Sequence, residues 1–157
     1  MNFSKHILVT GGAGFIGSHV VRRLVRNYPN YLIVNLDKLT YAGNLNNLHG
    51  ALGADWFTFV EGSITDQALV ETLLREHAID TLVHFAAESH VDRSITGPDA
   101  FIDTNIVGTH TLLKAAKACW LESDLTHNNL FHHVSTDEVY GTLSANDPAF
   151  SETTPYA

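Results

Sequence analysis

Two carboxylates stand side by side in the run Ser135-Thr136-Asp137-Glu138, where a predicted strand ends. Neighbouring carboxyl groups have different pKa values when their surroundings differ, so one can donate a proton while the other accepts one. The pair is therefore a candidate acid–base site. The alternative interpretation is that Asp137 and Glu138 only cap a following turn, since acidic residues are common in turns.

A glycine-rich run at residues 11–17 follows an apolar stretch and precedes a helical pattern that starts near Phe15. Glycines in a strand–turn–helix unit allow a tight turn, the close approach of a diphosphate and close packing of the helix on the strand. The helix start adds free N–H groups and the positive end of its dipole. Two registers fit the spacing, G-x-G-x-x-G from Gly12 and G-x-x-G-x-x-G from Gly11. The run predicts a dinucleotide site, and a glycine-rich turn without a ligand is the alternative.

Asp37 is a candidate for selecting the cofactor, because it directly follows the second predicted strand. A carboxylate at that position accepts hydrogen bonds from both ribose hydroxyls and repels a 2′-phosphate. The position predicts NAD rather than NADP, although Lys38 places a cation beside it. An ordinary loop aspartate is the alternative interpretation.

Apolar periodicity places these residues on alternating strands and helices. Strands are predicted at residues 6–10, 31–36, 56–61 and 81–85 and within 128–135, and helices from residue 15, over 66–77 and over about 98–120. This alternation predicts an α/β fold, a doubly wound parallel sheet with helices on both faces and right-handed crossovers. Ligands bind such sheets at the carboxyl ends of the strands, where all the chemically suggestive runs fall.

Composition excludes several classes of protein. The length of 157 residues fits one domain, and a net charge of −8 argues against nucleic-acid binding. No apolar run approaches the roughly 20 residues that cross a bilayer, and no signal-peptide core is found. The single cysteine, Cys119, is expected to be a packed thiol, and the scattered histidines show no metal-ligand pattern. We therefore expect a cytoplasmic protein without metal, membrane or nucleic-acid partner.

Five runs of the sequence form a recognisable set: residues 11–17, DKLTYAGN at 37–44, HFAAESHVDRSI at 84–95, NIVGT at 105–109 and STDEVYG at 135–141. Together they strongly resemble the dTDP-glucose 4,6-dehydratases of the extended short-chain dehydrogenase/reductase family. The glycine run is common to the superfamily, whereas the combination of the others is much narrower. The resemblance implies a Rossmann-type NAD-binding domain over residues 1–157, incomplete because the last strands and the substrate-binding part lie beyond it.

The same resemblance implies a mechanism with NAD as an internal redox catalyst. The sugar is oxidised at C4, water leaves across C5 and C6, and the hydride returns to C6. By similarity, Glu138 is the base at C5, Asp137 the acid at the C6 oxygen and Thr136 a hydrogen-bond partner near O4. The residues expected at the cofactor are Thr10, Gly11, Gly14, Phe15, Ile16, Gly17, Asp37, Lys38, Leu39, Thr40, Gly43, Ser63, Ile64, Ala86, Ala87 and Ser89. Those expected near the sugar are Glu88, His90 and Asn105.

The sequence departs from the family pattern at two places. Ser63-Ile64 stands where the family often has Asp-Ile, so any contact with adenine is made without a charge. The family's Tyr-x-x-x-Lys, whose tyrosine deprotonates O4, is not found: Tyr140 is followed four positions later by Ser144, and Tyr156 by Ala157 alone. We therefore expect this chain to represent the N-terminal part of such an enzyme and to be inactive alone.

Three functions stay open from the sequence. The first is NAD-dependent 4,6-dehydration of a nucleotide-activated glucose, dTDP-glucose above all, by a protein that is a homodimer when full length. The second is another enzyme of the superfamily, an epimerase or a decarboxylase, and the third is a non-catalytic NAD-binding module. Asp137 and Glu138 favour the dehydratase, since eliminating water needs an acid and a base, whereas the missing Tyr-x-x-x-Lys favours the module. Whether the nucleotide is dTDP or UDP is not decided by these residues.

Overall fold

A five-stranded parallel sheet forms the centre of the protein in a computed structural model that describes residues 2–122 and 128–157. The strands are β1 Lys5–Thr10, β2 Tyr31–Asp37, β3 Phe57–Glu61, β4 Thr81–His84 and β5 Leu130–His133, in the order β3-β2-β1-β4-β5. All five predicted strands are confirmed, with boundaries that differ by a residue or two. The strand order reverses between β1 and β4, which is where ligand clefts open in sheets of this kind.

Helices cover both faces of the sheet. They are α1 Phe15–Asn27, α2 Gln67–Glu76, α3 Val91–Thr96, α4 Asp99–Phe101 and α5 Thr109–Ala116. On one face α1 buries Val21 and Val25 against a core that includes Ile33 of β2. On the other face α2 and α5 pack over Leu8 and Leu82. The predicted doubly wound α/β fold is therefore confirmed.

The helix predicted over about 98–120 is a helical segment whose hydrogen bonding changes along its length. Wider π-type turns at Ile102–Gly108 and Lys117–Leu121 precede and follow α5. Of its predicted core positions, Leu112, Ala116 and Cys119 are buried, whereas Ile102 and Leu113 are 49% exposed and Ile106 is 59% exposed. The core prediction is wrong for Ile102, Ile106 and Leu113, because these three side chains share the side of the segment that faces away from the core.

The polar segment after β2 is held against the glycine turn rather than extending freely. Asn44 accepts a hydrogen bond from Asn46 N at 2.9 Å and so caps a short 3₁₀ helix, Leu45–Leu48. The carbonyl of Ala13 accepts from Asn44 N at 3.1 Å and from Asn47 Nδ2 at 2.8 Å. The prediction that this long segment has a functional place is consistent with those contacts, since they bring it to the carboxyl ends of the strands.

The packed thiol predicted at Cys119 is confirmed, because its side chain is buried beside α2 and that burial raises its pKa. Within residues 2–122 and 128–157, no group of three His, Cys, Asp or Glu side chains is arranged to hold a metal ion. No helix in those same ranges has the length and apolar character to span a membrane.

Candidate cofactor-binding and catalytic site

A cleft of about 1030 Å³ opens at the carboxyl ends of the strands and collects most of the predicted site residues. Those that line it are Gly11, Gly14, Phe15, Ile16, Gly17, Asp37, Lys38, Thr40, Gly43, Ser63, Ile64, Ala86, Ala87, Glu88, Ser89, Asn105, Thr136, Asp137 and Glu138. Thr10, Leu39 and His90 do not line the cleft. Segments far apart in the chain thus meet in one place because the sheet aligns their ends.

The glycine turn is shaped by two different steric demands. Gly11 has φ +72°, and a Cβ there would lie 2.5 Å from Ala86 N, so the backbone itself requires glycine. A Cβ on Gly17 would overlap the carbonyl of Gly11, which keeps α1 close to the turn. At Gly14 a Cβ would meet only Gly11 O, at 3.3 Å, so little in the protein itself excludes a methyl group there. The missing side chain at Gly14 instead leaves space in the cleft.

The start of α1 has the properties of an anion site. Gly14 is its N-cap, no side chain caps it, and its first turn contains no acidic residue. Free N–H groups and the helix dipole therefore face the cleft, and no acidic side chain of the helix's own first turn competes for them. A phosphate group fits this environment, and the geometry satisfies the condition that the sequence motif sets, a strand before the glycines and a helix after them.

Asp37 is nearly buried, and its carboxylate holds two loops together. Oδ2 accepts from Ala13 N at 2.8 Å, and Oδ1 accepts from Leu39 N at 2.9 Å. A carboxylate has about four acceptor positions, so two remain for further donors such as ribose hydroxyls. Leu39 itself has φ +52° and packs its side chain against the core on the α1 face, which explains why it does not line the cleft.

Asn35 is a contributor that the sequence analysis missed. Its Oδ1 accepts from Gly12 N at 3.1 Å, and its fully buried side chain lies directly beneath the glycine turn. The signal that could have revealed it is a lone amide within the apolar strand β2, since a buried polar side chain needs a partner.

His84 is a second contributor that was missed. Its Nδ1 lies 2.7 Å from Thr10 Oγ1, and its Nε2 lies 3.0 Å from Thr109 Oγ1. Burial, with a smaller contribution from the nearby charge of His133, lowers the pKa of His84 to about 4, so the ring is neutral at pH 7. These two hydrogen bonds explain why Thr10 does not line the cleft. The side chain of Thr10 bonds to His84 and is fully buried.

The segment after β4 is fixed from the side by Asn105. Its Oδ1 accepts from Glu88 N at 2.8 Å, and its Nδ2 donates to Glu88 O at 2.9 Å. Ala86, Ala87 and Ser89 of this segment line the cleft beside the glycine turn. His90, by contrast, lies exposed at the N-cap of α3.

The acidic pair lies at the start of a short 3₁₀ helix, Asp137–Tyr140, that follows β5. Thr136 caps this helix: its Oγ1 accepts from Glu138 N at 3.3 Å and donates to Asp137 Oδ1 at 3.4 Å. The cap is therefore a hydroxyl, and the two carboxylates are left to line the cleft. The turn-capping alternative considered for Asp137 and Glu138 does not describe this arrangement.

The fold and the glycine turn define a Rossmann-type dinucleotide-binding domain. The model of the GDP-mannose 4,6-dehydratase family matches residues 8–157, and the chain belongs to that family.

Comparison with individual proteins confirms the resemblance seen in the sequence motifs. A dTDP-glucose 4,6-dehydratase of Salmonella typhimurium is 50% identical over 96% of this chain and 44% of its own length. The dTDP-glucose 4,6-dehydratase of Bacillus anthracis, solved in complex with NAD, matches with a TM-score of 0.81 at 41% identity, over 98% of this chain and 44% of that one. DesIV of Streptomyces venezuelae, a dTDP-glucose 4,6-dehydratase solved with NAD, matches with a TM-score of 0.82 at 45% identity. The match covers 97% of this chain and 45% of the DesIV chain. The chain thus spans less than half the length of these relatives.

Proposed function

We propose that this protein is an NAD-dependent 4,6-dehydratase that acts on dTDP-glucose and forms the 4-keto-6-deoxy sugar. The observation that carries the proposal is the presence of Asp137 and Glu138 in the same cleft as the glycine turn and Asp37. The similar dTDP-glucose 4,6-dehydratases support the choice of substrate. An epimerase or a decarboxylase has no comparable need for an acid and a base beside each other, which favours dehydration.

The residues of the cleft fit NAD. The N–H groups of Phe15, Ile16 and Gly17 face the diphosphate beside Gly11 and Gly14, and Asp37 accepts from the adenosine ribose. The remaining adenosine contacts would come from Lys38, Thr40, Gly43, Ser63 and Ile64, and the nicotinamide contacts from Ala86, Ala87 and Ser89, whereas Leu39 packs into the core and would contribute only through its N–H bond to Asp37. NAD held by these residues would supply the hydride acceptor for oxidation at C4 and the hydride donor for reduction at C6. The carboxylate of Asp37 repels a 2′-phosphate, so NAD is preferred over NADP.

The acid–base steps belong to the pair after β5. Once C4 is a carbonyl, the C5 proton is acidic, and Glu138 removes it while Asp137 protonates the departing C6 hydroxyl. Each such proton transfer contributes a factor of about 10² to 10⁴ in rate. Thr136 touches Asp137 and binds Glu138 N, so it fixes the two acids relative to each other and to O4. Glu88 and Asn105 support the sugar side of the cleft, whereas His90 lies outside it at the N-cap of α3.

We also propose a homodimer in the cytoplasm for this enzyme. The exposed apolar side chains of Ile102, Ile106 and Leu113 support an association surface on the long helical segment. The given sequence contains a single cysteine, so no disulfide forms within it, which suits a reducing compartment.

The decisive experiment measures 4-keto-6-deoxy sugar formation from dTDP-glucose with NAD. It is run on this chain and on a form extended to the length of the relatives. We expect turnover by the extended form and a loss of at least about 10² on Glu138→Gln or Asp137→Asn. Glu152→Gln, at an exposed carboxylate of the same region, is the matched control and keeps full activity. Undiminished dehydration by Glu138→Gln, or a C4 epimer as the product, would contradict the proposal.

A further inference from the structure

Three side chains from separate segments meet at the mouth of the cleft: Tyr41 follows β2, Glu88 follows β4 and Arg93 belongs to α3. The hydroxyl of Tyr41 donates a hydrogen bond to Glu88 Oε2 at 3.0 Å. The guanidinium of Arg93 lies 3.9 Å from the centre of the Tyr41 ring, within the range of a cation–π contact. We call Tyr41, Glu88 and Arg93 the clasp.

Both sides of the clasp are anchored to the framework of the site. Glu88 is bound through its main chain to the side chain of Asn105, by two hydrogen bonds of 2.8 and 2.9 Å. Tyr41 lies within a turn closed by the Gly43 N to Thr40 O bond at 3.0 Å, and the following Asn44 N donates to Ala13 O. The backbones on the two sides are therefore fixed, and the connection between them runs through side chains that rotate freely when they separate.

The clasp crosses the sheet at a particular strand. Strand β1 lies between β2 and β4, so a contact between the segments that follow β2 and β4 spans the end of β1 and the glycine turn. Glu88 lines the 1030 Å³ cleft together with Thr40, and it also lines a neighbouring cavity of about 330 Å³ with Tyr41 and Arg93. The clasp thus lies at the border of the two spaces.

We propose that the clasp retains the dinucleotide in the cleft and must open before the cofactor leaves. This inference rests on the proposed function, in which residues after β2 and after β4 would hold the two ends of NAD, so that the Tyr41–Glu88 bond joins the two segments that would hold the cofactor. A hydrogen bond to a carboxylate is among the stronger ones that side chains make, and Arg93 holds the ring that donates it. Retention suits a reaction in which one cofactor molecule is reduced and reoxidised in place.

The test is the dissociation rate of NADH, followed by its fluorescence as excess NAD displaces it in a stopped-flow instrument. Tyr41→Phe removes the hydroxyl and keeps the ring under Arg93, and we expect NADH to leave roughly tenfold faster, equivalent to about 1.4 kcal/mol. Tyr28→Phe, at a tyrosine at the opposite end of α1, is the matched control and leaves the rate unchanged. In a double-mutant cycle, Tyr41→Phe with Glu88→Ala releases NADH no faster than the more affected single variant.

Binding of AMP separates the clasp from a direct contact with adenosine. AMP would be held by the residues after β2 and by the glycine turn without the segment after β4, so a bond that joins the two segments would not retain it, and we expect its affinity to be the same in Tyr41→Phe. Equal weakening of AMP and NADH, or an NADH dissociation rate unchanged in a Tyr41→Phe variant that still binds, would overturn the clasp and leave the proposed function standing. Failure of the unsubstituted protein to bind NADH would overturn both.

Discussion

His84 connects the first strand, the fourth strand and α5 through one imidazole ring. Its two nitrogens contact Thr10 and Thr109, and the ring is 1% exposed. A neutral ring satisfies both hydroxyls, whereas an imidazolium in this place has to be desolvated without a carboxylate partner in the contacts that the described residues make to it. The residue therefore makes the fold sensitive to acid.

The first prediction concerns the pH dependence of stability. The pKa of His84 is lowered to about 4 in the fold, against 6.5 in the unfolded chain, so the unfolded state binds more protons between these values. The stabilising contribution is complete above about pH 6.5 and is lost as the pH falls towards 4. We expect the free energy of unfolding to drop by about 2 kcal/mol between pH 7 and pH 5 on account of this ring. Urea titrations at both pH values measure it.

The control for this prediction is a pair of glutamine variants. His84→Gln removes the titrating group and flattens the difference between pH 7 and pH 5, even though it lowers stability overall. His110→Gln, at an exposed histidine of α5, keeps the unsubstituted pH dependence. The same slope in His84→Gln and in the unsubstituted protein would show that another group is responsible.

The glycine turn is the element whose role followed most directly from sequence, because Gly11 and Gly17 answer local steric demands and Gly14 leaves space in the cleft. Its position between β1 and α1, and the alignment of Asp37 with it, could be predicted from periodicity and spacing alone. The contributions of Asn35 and His84 could not be predicted in this way, because each residue bonds to a segment that is close to it only in the folded protein. The outward side of the long helical segment was misjudged for the same reason, because periodicity does not say which apolar side finds a partner.

A pair of alanine variants distinguishes backbone shape from ligand space in this turn. In Gly17→Ala the methyl group overlaps Gly11 O, so we expect a loss of about 1–3 kcal/mol in stability together with loss of NAD binding. In Gly14→Ala the methyl group meets only Gly11 O at 3.3 Å, so the melting temperature stays close to the unsubstituted value while NAD affinity falls at least about tenfold. Thermal unfolding and calorimetric titration with NAD give the two readings.

Equal destabilisation by the two alanines would mean that Gly14 is required by the protein and not by its ligand. Unchanged NAD affinity in Gly14→Ala would remove the diphosphate from this part of the turn. Either result would return the turn to the alternative of a glycine-rich connection without a bound phosphate.

At the scale of the whole molecule, the described residues leave apolar surface uncovered on the long helical segment and on β5. Ile106 is 59% exposed, Ile102 and Leu113 are 49% exposed, and Leu130 of the edge strand is 52% exposed. The sheet order and the common edge of the site were predictable, because parallel crossovers allow few arrangements. The apolar surfaces that stay exposed could not be predicted, since exposure depends on packing partners and not on the local sequence pattern.

The third prediction is that this chain self-associates through the exposed apolar side of the long helical segment. We expect a concentration-dependent increase in mass in sedimentation velocity experiments, reduced in Ile106→Lys because a charge is costly in an apolar contact. Leu52→Lys, at an equally exposed leucine in the segment after β2, is the control and does not change the association. A monodisperse monomer at all concentrations would contradict the prediction.

The strand order also has a consequence for synthesis on the ribosome. The middle strand of the sheet, β1, precedes the other four in the sequence; β2 follows and pairs with β1, and β3 then pairs with β2. The other neighbour of β1, β4, pairs Ile7 with Thr81 and therefore arrives only after a long stretch of translation. During that interval one edge of β1 lacks its strand, and closing so distant a pairing is slow compared with local contacts. In any order of folding that pairs β1 with β2 before β4, β1 therefore exposes an edge at which mispairing or chaperone capture competes with the arrival of β4.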